Sequence, residues 1–215
     1  LMNAQSSYTE PRIRWTDNPI MIAQRQRRSS LAHSQSGLLM TTILCLLAVL
    51  ITGTNAEAGN TEPWDTCFGV LLLFYGFLLL LKASNELSSL MAEERSSGML
   101  EFHRASPTTT WTDALGYLIG GTAKEVLMAA TTIPFILIAS FKGSVGIGGG
   151  VAAIASVGVT SLLYHTFGMV LGLAAVKKKR AGGGVTGIVL LLLIFGSALY
   201  EAKIYFLAYL TPYPA

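Results

Sequence analysis

The sequence has little charge: Asp, Glu, Lys and Arg make up 13% of its 215 residues, whereas hydrophobic residues make up 52%. A soluble domain usually carries about 25% charged residues. This shortage, together with several long apolar runs, argues against a soluble domain and predicts an all-α integral membrane protein. Because the runs are continuous rather than alternating, they also argue against a transmembrane β-barrel.

Residues that could form a catalytic or metal site are scarce. Cys45 and Cys67 have no metal-ligand spacing and lie in or beside apolar runs, so we expect both to be buried as small hydrophobic residues. His33, His103 and His165 are widely separated, and no H-E-x-x-H occurs. We therefore predict no catalytic residue and no metal site.

Nucleotide-binding motifs are also missing. No G-x-x-x-x-G-K-[ST] loop is present to hold the phosphates of ATP. Residues 182–187 match G-x-G-x-x-G formally, but they follow a basic loop and open a membrane helix instead of joining a strand to a helix. We expect no enzyme activity, no cofactor in this chain and no nucleic-acid partner.

Five apolar segments approach or exceed the roughly 20 residues that a helix needs to cross a bilayer. They are residues 37–54, 67–83, 114–139, 151–176 and 185–207. The predicted organisation is an amino-terminal segment, residues 1–36, followed by a transmembrane domain, residues 37–215.

The distribution of lysine and arginine predicts the orientation, because cytoplasmic loops are enriched in both. The connection between the first two spans has neither, whereas basic residues precede the first span, lie between the second and third, and follow the fourth: Arg12, Arg14, Arg25, Arg27, Arg28, Arg95, Arg104 and 177–180. We expect a multi-pass protein of the plasma (inner) membrane with a cytoplasmic amino terminus.

The segment before the first span, DNPIMIAQRQRRSSLA, is typical of a short interfacial helix. Asn18 can cap its amide groups and Pro19 suits its first position. Apolar residues would enter the headgroup boundary while arginines meet anionic lipid; these residues are Trp15, Ile20, Met21, Ile22, Arg25, Arg27 and Arg28. The alternative is a solvated basic tail that only fixes the orientation.

Three features predict how the spans pack. Gly116 and Gly120, and likewise Gly168 and Gly172, have the small-xxx-small spacing that lets two helices approach closely in lipid. Pro134 is expected to kink the third span.

Lys124 and Glu125 interrupt the third span. Ionisable residues inside a membrane are costly and often functional, so a role in gating or in a substrate path is one interpretation. The other is structural: near the cytoplasmic interface, both side chains can extend to water.

Residues 93–107, EERSSGMLEFHRASP, form the polar segment between the second and third spans. Gly98 permits a sharp change of direction, and Pro107 disfavours helix in the residue before it. An apolar anchor and a polar rim would suit a docking surface: Met99, Leu100 and Phe102 for the anchor, Glu93, Glu94, Arg95, Glu101 and Arg104 for the rim. The alternative is an ordinary charged loop.

The pattern E-R-x-x-G-x-L-E followed by Ser-Pro, just after the second span, resembles the permease subunits of type-2 ATP-binding-cassette (ABC) transporters. Related exporters have a similar E-R-x-x-G-M, matched here by Glu94, Arg95, Gly98 and Met99. Asn-Pro before the first span, Pro134, the basic residues 177–180 and the closing LTPYPA occur in a similar order in that family.

The resemblance implies that residues 93–107 form a coupling helix docking on a separate ATPase subunit, which binds ATP and Mg²⁺. It further implies a homodimer or heterodimer of permease subunits with a substrate path between them, and we expect export. The family usually has six spans, so we expect the sixth to be missing by truncation, and it often has Gly-Lys where this chain has Gly116 and Tyr117.

Two other functions fit the residues. One is an ion-coupled secondary carrier that uses Lys124, Glu125 and Glu201. The other is a non-transporting membrane scaffold that recruits a cytoplasmic partner.

Overall fold

The structure, a computed structural model, describes residues 20–23, 31–56, 61–104 and 110–175, and every regular element in these ranges is helical. The elements are α1 (Leu31–Asn55), α2 (Glu62–Ser96), α3 (Met99–Arg104), α4 (Thr110–Lys142) and α5 (Gly146–Ala174). Residues 20–23 form one further helical turn. No strand occurs in these ranges, which confirms the expected all-α class.

Four helices in this part of the chain are long and apolar enough to cross a membrane: Gln35–Asn55, Glu62–Ser96, Trp111–Lys142 and Gly146–Ala174. They coincide with the first four predicted spans and confirm a multi-pass membrane protein. The fifth predicted span, residues 185–207, and the basic residues 177–180 lie outside the described residues, so the total of five stays a prediction.

α2 and α4 are longer than the apolar runs from which they were predicted. The second run ends at residue 83, but α2 continues to Ser96 and has 35 residues. At 1.5 Å per residue its length is about 52 Å, well beyond the roughly 30 Å of a bilayer's hydrocarbon core. The apolar run marks only the part suited to lipid, whereas the polar residues after it continue the helix where it packs against α5.

The middle of α2 is a π-helix, Phe77–Ala83, between the α-helical segments Glu62–Gly76 and Ser84–Ser96. π-helical turns are rare and are frequently found at functional sites. No pattern in the sequence predicted this one.

The bundle has two clusters of buried apolar side chains. The larger joins α1, α2, α4 and α5 and includes Cys45, Cys67, Leu71, Ile136 and Val157. Both cysteines are free thiols buried in this cluster, as predicted. The smaller cluster lies towards the end of α2 that precedes α3.

The second half of α2 and α5 share the most extensive contact between helices. A Cβ atom on Gly168 would lie 2.6 Å from the carbonyl oxygen of Ser84, and one on Gly172 would collide with the carbonyl oxygen of Ser88. Both predicted glycines therefore lie against the backbone of α2, where a larger residue would push the helices apart.

α4 also has a glycine at a close helix contact. Gly116 and Gly120 are buried, and their predicted close packing stays a prediction; the contact found is at the next residue, Gly121. A Cβ atom there would lie 2.9 Å from Leu87 Cδ1 and 3.0 Å from Leu90 Cδ2. Pro134 lies inside α4, which continues on both sides of it; the predicted kink stays a prediction.

The opposite end of the bundle is held by a loop contact. The backbone amide of Ser144, between α4 and α5, donates a hydrogen bond of 2.7 Å to Asp65 Oδ1 in the first turn of α2. Pro63 and the acidic residues Glu62 and Asp65 suit this helix start, because proline is tolerated there and carboxylates favour the positive end of the helix dipole.

Candidate coupling site

The turn between α2 and α3 depends on Gly98. Its φ is +76°, in the left-handed region that glycine adopts at little cost. The amide of Gly98 donates to the carbonyl of Arg95 at 3.3 Å, and the amide of Glu101 donates to the carbonyl of Gly98 at 3.1 Å. The chain thus ends one helix and begins the next within two residues, at the glycine where a change of direction was predicted.

α3 lies against a cluster that we call the junction, formed by Ile20, Leu87, Leu90, Met91 and Tyr117, with Leu100 and Met169 packed against it. These residues come from the turn at residues 20–23 and from α2, α3, α4 and α5. A displacement of α3 would therefore press on side chains from three long helices at once, because a closely packed interior transmits strain.

The residues predicted to form one apolar anchor do not lie on the same surface of α3. Met99 is 43% exposed, whereas Leu100 is half-buried against the junction. The expectation that both would face a partner is wrong for Leu100, because the side of α3 that carries it packs on the protein's own bundle. The side chain of Phe102 lies outside the described residues.

Glu94 also departs from its predicted place on an exposed rim. Its side chain is 2% exposed, and the hydroxyl of Tyr117 donates to Glu94 Oε2 at 3.4 Å. Helical spacing could have revealed this, because Leu87, Leu90 and Met91 share a face with Glu94 at intervals of seven, four and three residues. The carboxylate therefore joins α2 to α4.

Arg95, which was predicted to contact a partner, reaches another helix of the same chain. Its guanidinium donates to the carbonyl of Leu173, one residue before α5 ends at Ala174. The last carbonyl groups of a helix lack intrahelical partners and carry partial negative charge, so a guanidinium is well suited to them. This contact ties the end of α2 to the end of α5.

The other predicted docking residues are partly described. Glu101 is exposed and Glu93 is half-buried. The side chain of Arg104, and Pro107 entirely, lie outside the described residues. The same holds for six residues of the predicted interfacial helix: Trp15, Asn18, Pro19, Arg25, Arg27 and Arg28.

Only residues 20–23 of that interfacial helix are described. Ile22 is 40% exposed, but Ile20 is 2% exposed and belongs to the junction. The expectation that Ile20 enters the lipid headgroup region is therefore wrong, because this side chain packs against the bundle.

Lys124 and Glu125 lie on different faces of α4, as adjacent helical residues do. Lys124 is half-buried, and Glu125 is 2% exposed. Burial of Glu125 disagrees with the interpretation that both side chains simply extend to water. A role in gating or in a substrate path stays a prediction.

His165 was not predicted to have a role, yet it contacts the π-helix of α2. Its Nε2 atom lies 3.0 Å from the carbonyl oxygen of Leu79, and its side chain is 2% exposed. Its position as an ionisable residue in the long apolar run of α5 was the available indication, since such residues are usually paired.

No group of three or more potential metal ligands occurs in the described ranges. Comparison with family models matches residues 20–211 to the family described as ABC-2 type transporter. The matched region includes the junction and all five helices. Comparisons with curated proteins and with solved structures gave no match.

Proposed function

Because the chain belongs to the ABC-2 type transporter family and is a membrane permease subunit, we propose that a separate ATPase subunit drives it through α3. The proposal also includes a plasma (inner) membrane location, a cytoplasmic amino terminus, a dimer of permease subunits and export of the substrate. The sequence contains no phosphate-binding loop, so ATP and Mg²⁺ belong to the partner in this scheme.

The packing of α3 on the junction carries the proposal. α3 is a short helix that follows the positive-φ residue Gly98 and packs on the junction through Leu100. It has residues available on its outer side, since Met99 and Glu101 are exposed. An apolar side chain beside a charged one suits a protein interface with a hydrophobic centre and a polar rim.

In the proposed mechanism, these contacts transmit motion of the ATPase subunit to the membrane helices. ATP binding in the partner would move the surface on which Met99 rests. α3 would pass that displacement through Leu100 to the junction, and the Arg95 contact with the carbonyl of Leu173 would carry it to α5. The described contacts thus favour a concerted motion of α2 and α5.

Co-purification tests the proposal. The full-length chain is expressed with its candidate cassette ATPase and isolated in detergent, first as wild type and then as Met99→Asp. We expect the wild type to retain the ATPase. Met99→Asp should reduce retention at least tenfold, because it places a charge in the apolar centre of the interface.

Val145→Asp is the matched control, since Val145 is also an exposed apolar residue in or beside a connection, at the opposite end of the bundle. It should retain the ATPase fully. A wild-type chain that binds no cassette ATPase under any nucleotide condition would contradict the proposal, as would equal losses in the two variants.

An ion-coupled carrier is a second candidate because Glu125 is a buried carboxylate in a membrane helix. Under that function, Glu125→Gln abolishes transport while ATP depletion leaves it intact. Under the function proposed here, ATP depletion stops transport. Transport assays in energised vesicles distinguish the two.

A further inference from the structure

The π-helix of α2 leaves one backbone carbonyl without its usual partner. In an α-helix the carbonyl of Leu79 would accept from the amide of Ala83, and in a π-helix from that of Ser84. The amide of Ser84 donates to Leu81 instead, and Ala83 ends the π-helix, where amides reach five residues back. The imidazole of His165 supplies the missing donor from α5, with Nε2 3.0 Å from the Leu79 oxygen.

Two serines that follow the π-helix are buried without a hydrogen bond. Ser84 and Ser88 are both 0% exposed, and neither hydroxyl has a partner within the described ranges. Serine in a helix can donate to the carbonyl three or four residues before it, as Ser140 and Ser161 do in α4 and α5. Because a buried hydroxyl without a partner costs free energy, the contact of these serines with α5 is not fully satisfied.

A shift of one residue would place other side chains against α5. The π-helical turn holds one residue more than an α-helical turn, because its hydrogen bonds join residues five apart rather than four. If the turn became α-helical, the segment Ser84–Ser96 would rotate by about 100° and advance by about 1.5 Å relative to the first half of α2. Each place along the segment would then be taken by the preceding residue.

The sequence of α2 suits both arrangements on the side that faces α5 and Tyr117. The residues now on that side approach Gly168 and Gly172 or accept from Tyr117. They are Ser84, Ser88, Met91 and Glu94. After the shift, the same places would hold Ala83, Leu87, Leu90 and Glu93. Apolar side chains would replace the two buried hydroxyls, and a carboxylate would remain opposite Tyr117.

The contact with α4 favours the present arrangement instead. Leu87 and Leu90 pack on α4 where Gly121 has no side chain. After the shift their places would hold Glu86 and Ser89, and polar side chains are less favourable in a buried contact. The two neighbouring helices therefore favour different arrangements of α2, as a protein with two accessible conformations requires.

We propose that the π-helix of α2 is a switch between a π-helical and an α-helical register of the segment Ser84–Ser96. His165 and the α4 contact stabilise the π register. The α register would pair the Leu79 carbonyl with the Ala83 amide, and it would move Arg95 away from the end of α5. This switch goes beyond the coupling proposed above, since it is a property of this chain alone.

Methionine methyl NMR of the full-length wild-type chain in lipid nanodiscs tests the switch. Met91 lies in the segment that moves, and Met128 Sδ lies 3.9 Å from Nζ of Lys82 in the π-helix. Helix register shifts take microseconds to milliseconds, so we expect relaxation dispersion at both methyl groups with one shared rate and population. Met40, which is exposed on α1, should show none.

Two changes should shift the balance in opposite directions. His165→Leu deprives the Leu79 carbonyl of its donor in the π register only, so it should raise the ratio of α to π register about fivefold, the equivalent of one net hydrogen bond. Ser84→Ala combined with Ser88→Ala removes the unsatisfied hydroxyls and should lower that ratio. Ser161→Ala is the matched control and should leave it unchanged, because this buried hydroxyl has a partner within its own helix.

Deletion of Leu81 tests whether the motion is a change of register. It removes the additional residue, so α2 becomes α-helical throughout while Ser84–Ser96 keeps its present contacts. Dispersion should then disappear at Met91 and Met128.

Several results would overturn the proposal. They are a wild type without dispersion, different populations at Met91 and Met128, equal dispersion at Met40, a response to Ser161→Ala as large as that to the other variants, or dispersion that persists after deletion of Leu81. The wild-type measurement needs no variant, so the proposal remains testable if a substituted chain misfolds. It also needs no ATPase, so its outcome is separate from that of the coupling proposal.

Discussion

Individual polar side chains hold particular pairs of helices together in this protein. His165 joins α5 to the π-helix of α2, and Tyr117 of α4 joins Glu94 of α2. Each contact is buried, where a hydrogen bond left unmade costs more than it does in water. These residues are therefore the places where a single substitution has a measurable and specific effect.

The hydrogen bond between His165 and the Leu79 carbonyl should stabilise the π-helical segment. We expect His165→Leu to lower the free energy of unfolding by about 1 kcal/mol, because it removes the imidazole from a buried carbonyl oxygen. His165→Gln, which keeps an N–H donor, should recover part of the loss. Denaturation in mixed micelles measures both, and equal destabilisation by the two variants would contradict this role.

Tyr117→Phe should destabilise the junction by about 1 kcal/mol, since it removes one donor from the buried carboxylate of Glu94. Tyr75→Phe is the matched control. Tyr75 is also a buried tyrosine, but its hydroxyl makes no hydrogen bond within the described ranges. The same denaturation assay applies, and an equal or larger loss in Tyr75→Phe would exclude the assigned contact.

At this scale the sequence predicted backbone geometry better than side-chain partners. Gly98 was identified because few other residues tolerate a reversal between two helices, and it has a positive φ. The partners of Arg95 and Glu94 depend on which helices are neighbours. That information is absent from the local pattern, so both residues were assigned to a docking surface.

At the scale of elements, the contact between the second half of α2 and α5 is the principal helix pair. Gly168 and Gly172 leave α5 without side chains at two positions. At these positions the backbone carbonyl groups of Ser84 and Ser88 in α2 approach α5 closely. Without a hydrophobic driving force between helices in lipid, such close packing is the main source of association. The small-xxx-small spacing was readable in the sequence, but its partner helix was not.

Gly172→Ala should weaken this pair, because the added methyl group collides with the Ser88 carbonyl and would lie 2.7 Å from Met91 Cβ. We expect a loss of about 1–3 kcal/mol, the usual range for overpacking. Gly148→Ala in the same helix meets nothing within 4 Å and should be neutral or slightly stabilising. Thermal unfolding in detergent compares them, and similar behaviour would contradict the close packing.

The boundaries of the elements followed hydropathy only in part. Apolar runs identified four helices that were later found, because about 20 apolar residues suffice to cross a bilayer. They missed the extension of α2 to Ser96 and the π-helix at its centre. Both features lie where α2 packs against α4 and α5, and hydropathy does not encode which helices are neighbours.

At the scale of the whole molecule, the two ends of the bundle differ in chemistry. One end has the junction, α3 and Arg95, and the other has the contact of Asp65 with the Ser144 amide. The distribution of basic residues predicts that the first end faces the cytoplasm. A permease driven by a cytoplasmic ATPase requires that arrangement.

Cysteine accessibility tests this orientation. Ser97 and Ser144 are both exposed and lie in connections at opposite ends. In a chain with Cys45 and Cys67 replaced by alanine, a membrane-impermeant maleimide should label Ser144→Cys on intact cells. Ser97→Cys should react only after permeabilisation, and the reverse pattern would rule out the proposed topology.

Docking of α3 on an ATPase can be tested by site-specific photo-crosslinking in native membranes. A photoreactive amino acid replaces Met99 in one sample and Val145 in another, and mass spectrometry identifies the products. We expect a crosslink from position 99 to a protein with an ATP-binding cassette, and none from position 145. A crosslink from position 145 alone, or no ATPase at either position, would contradict it.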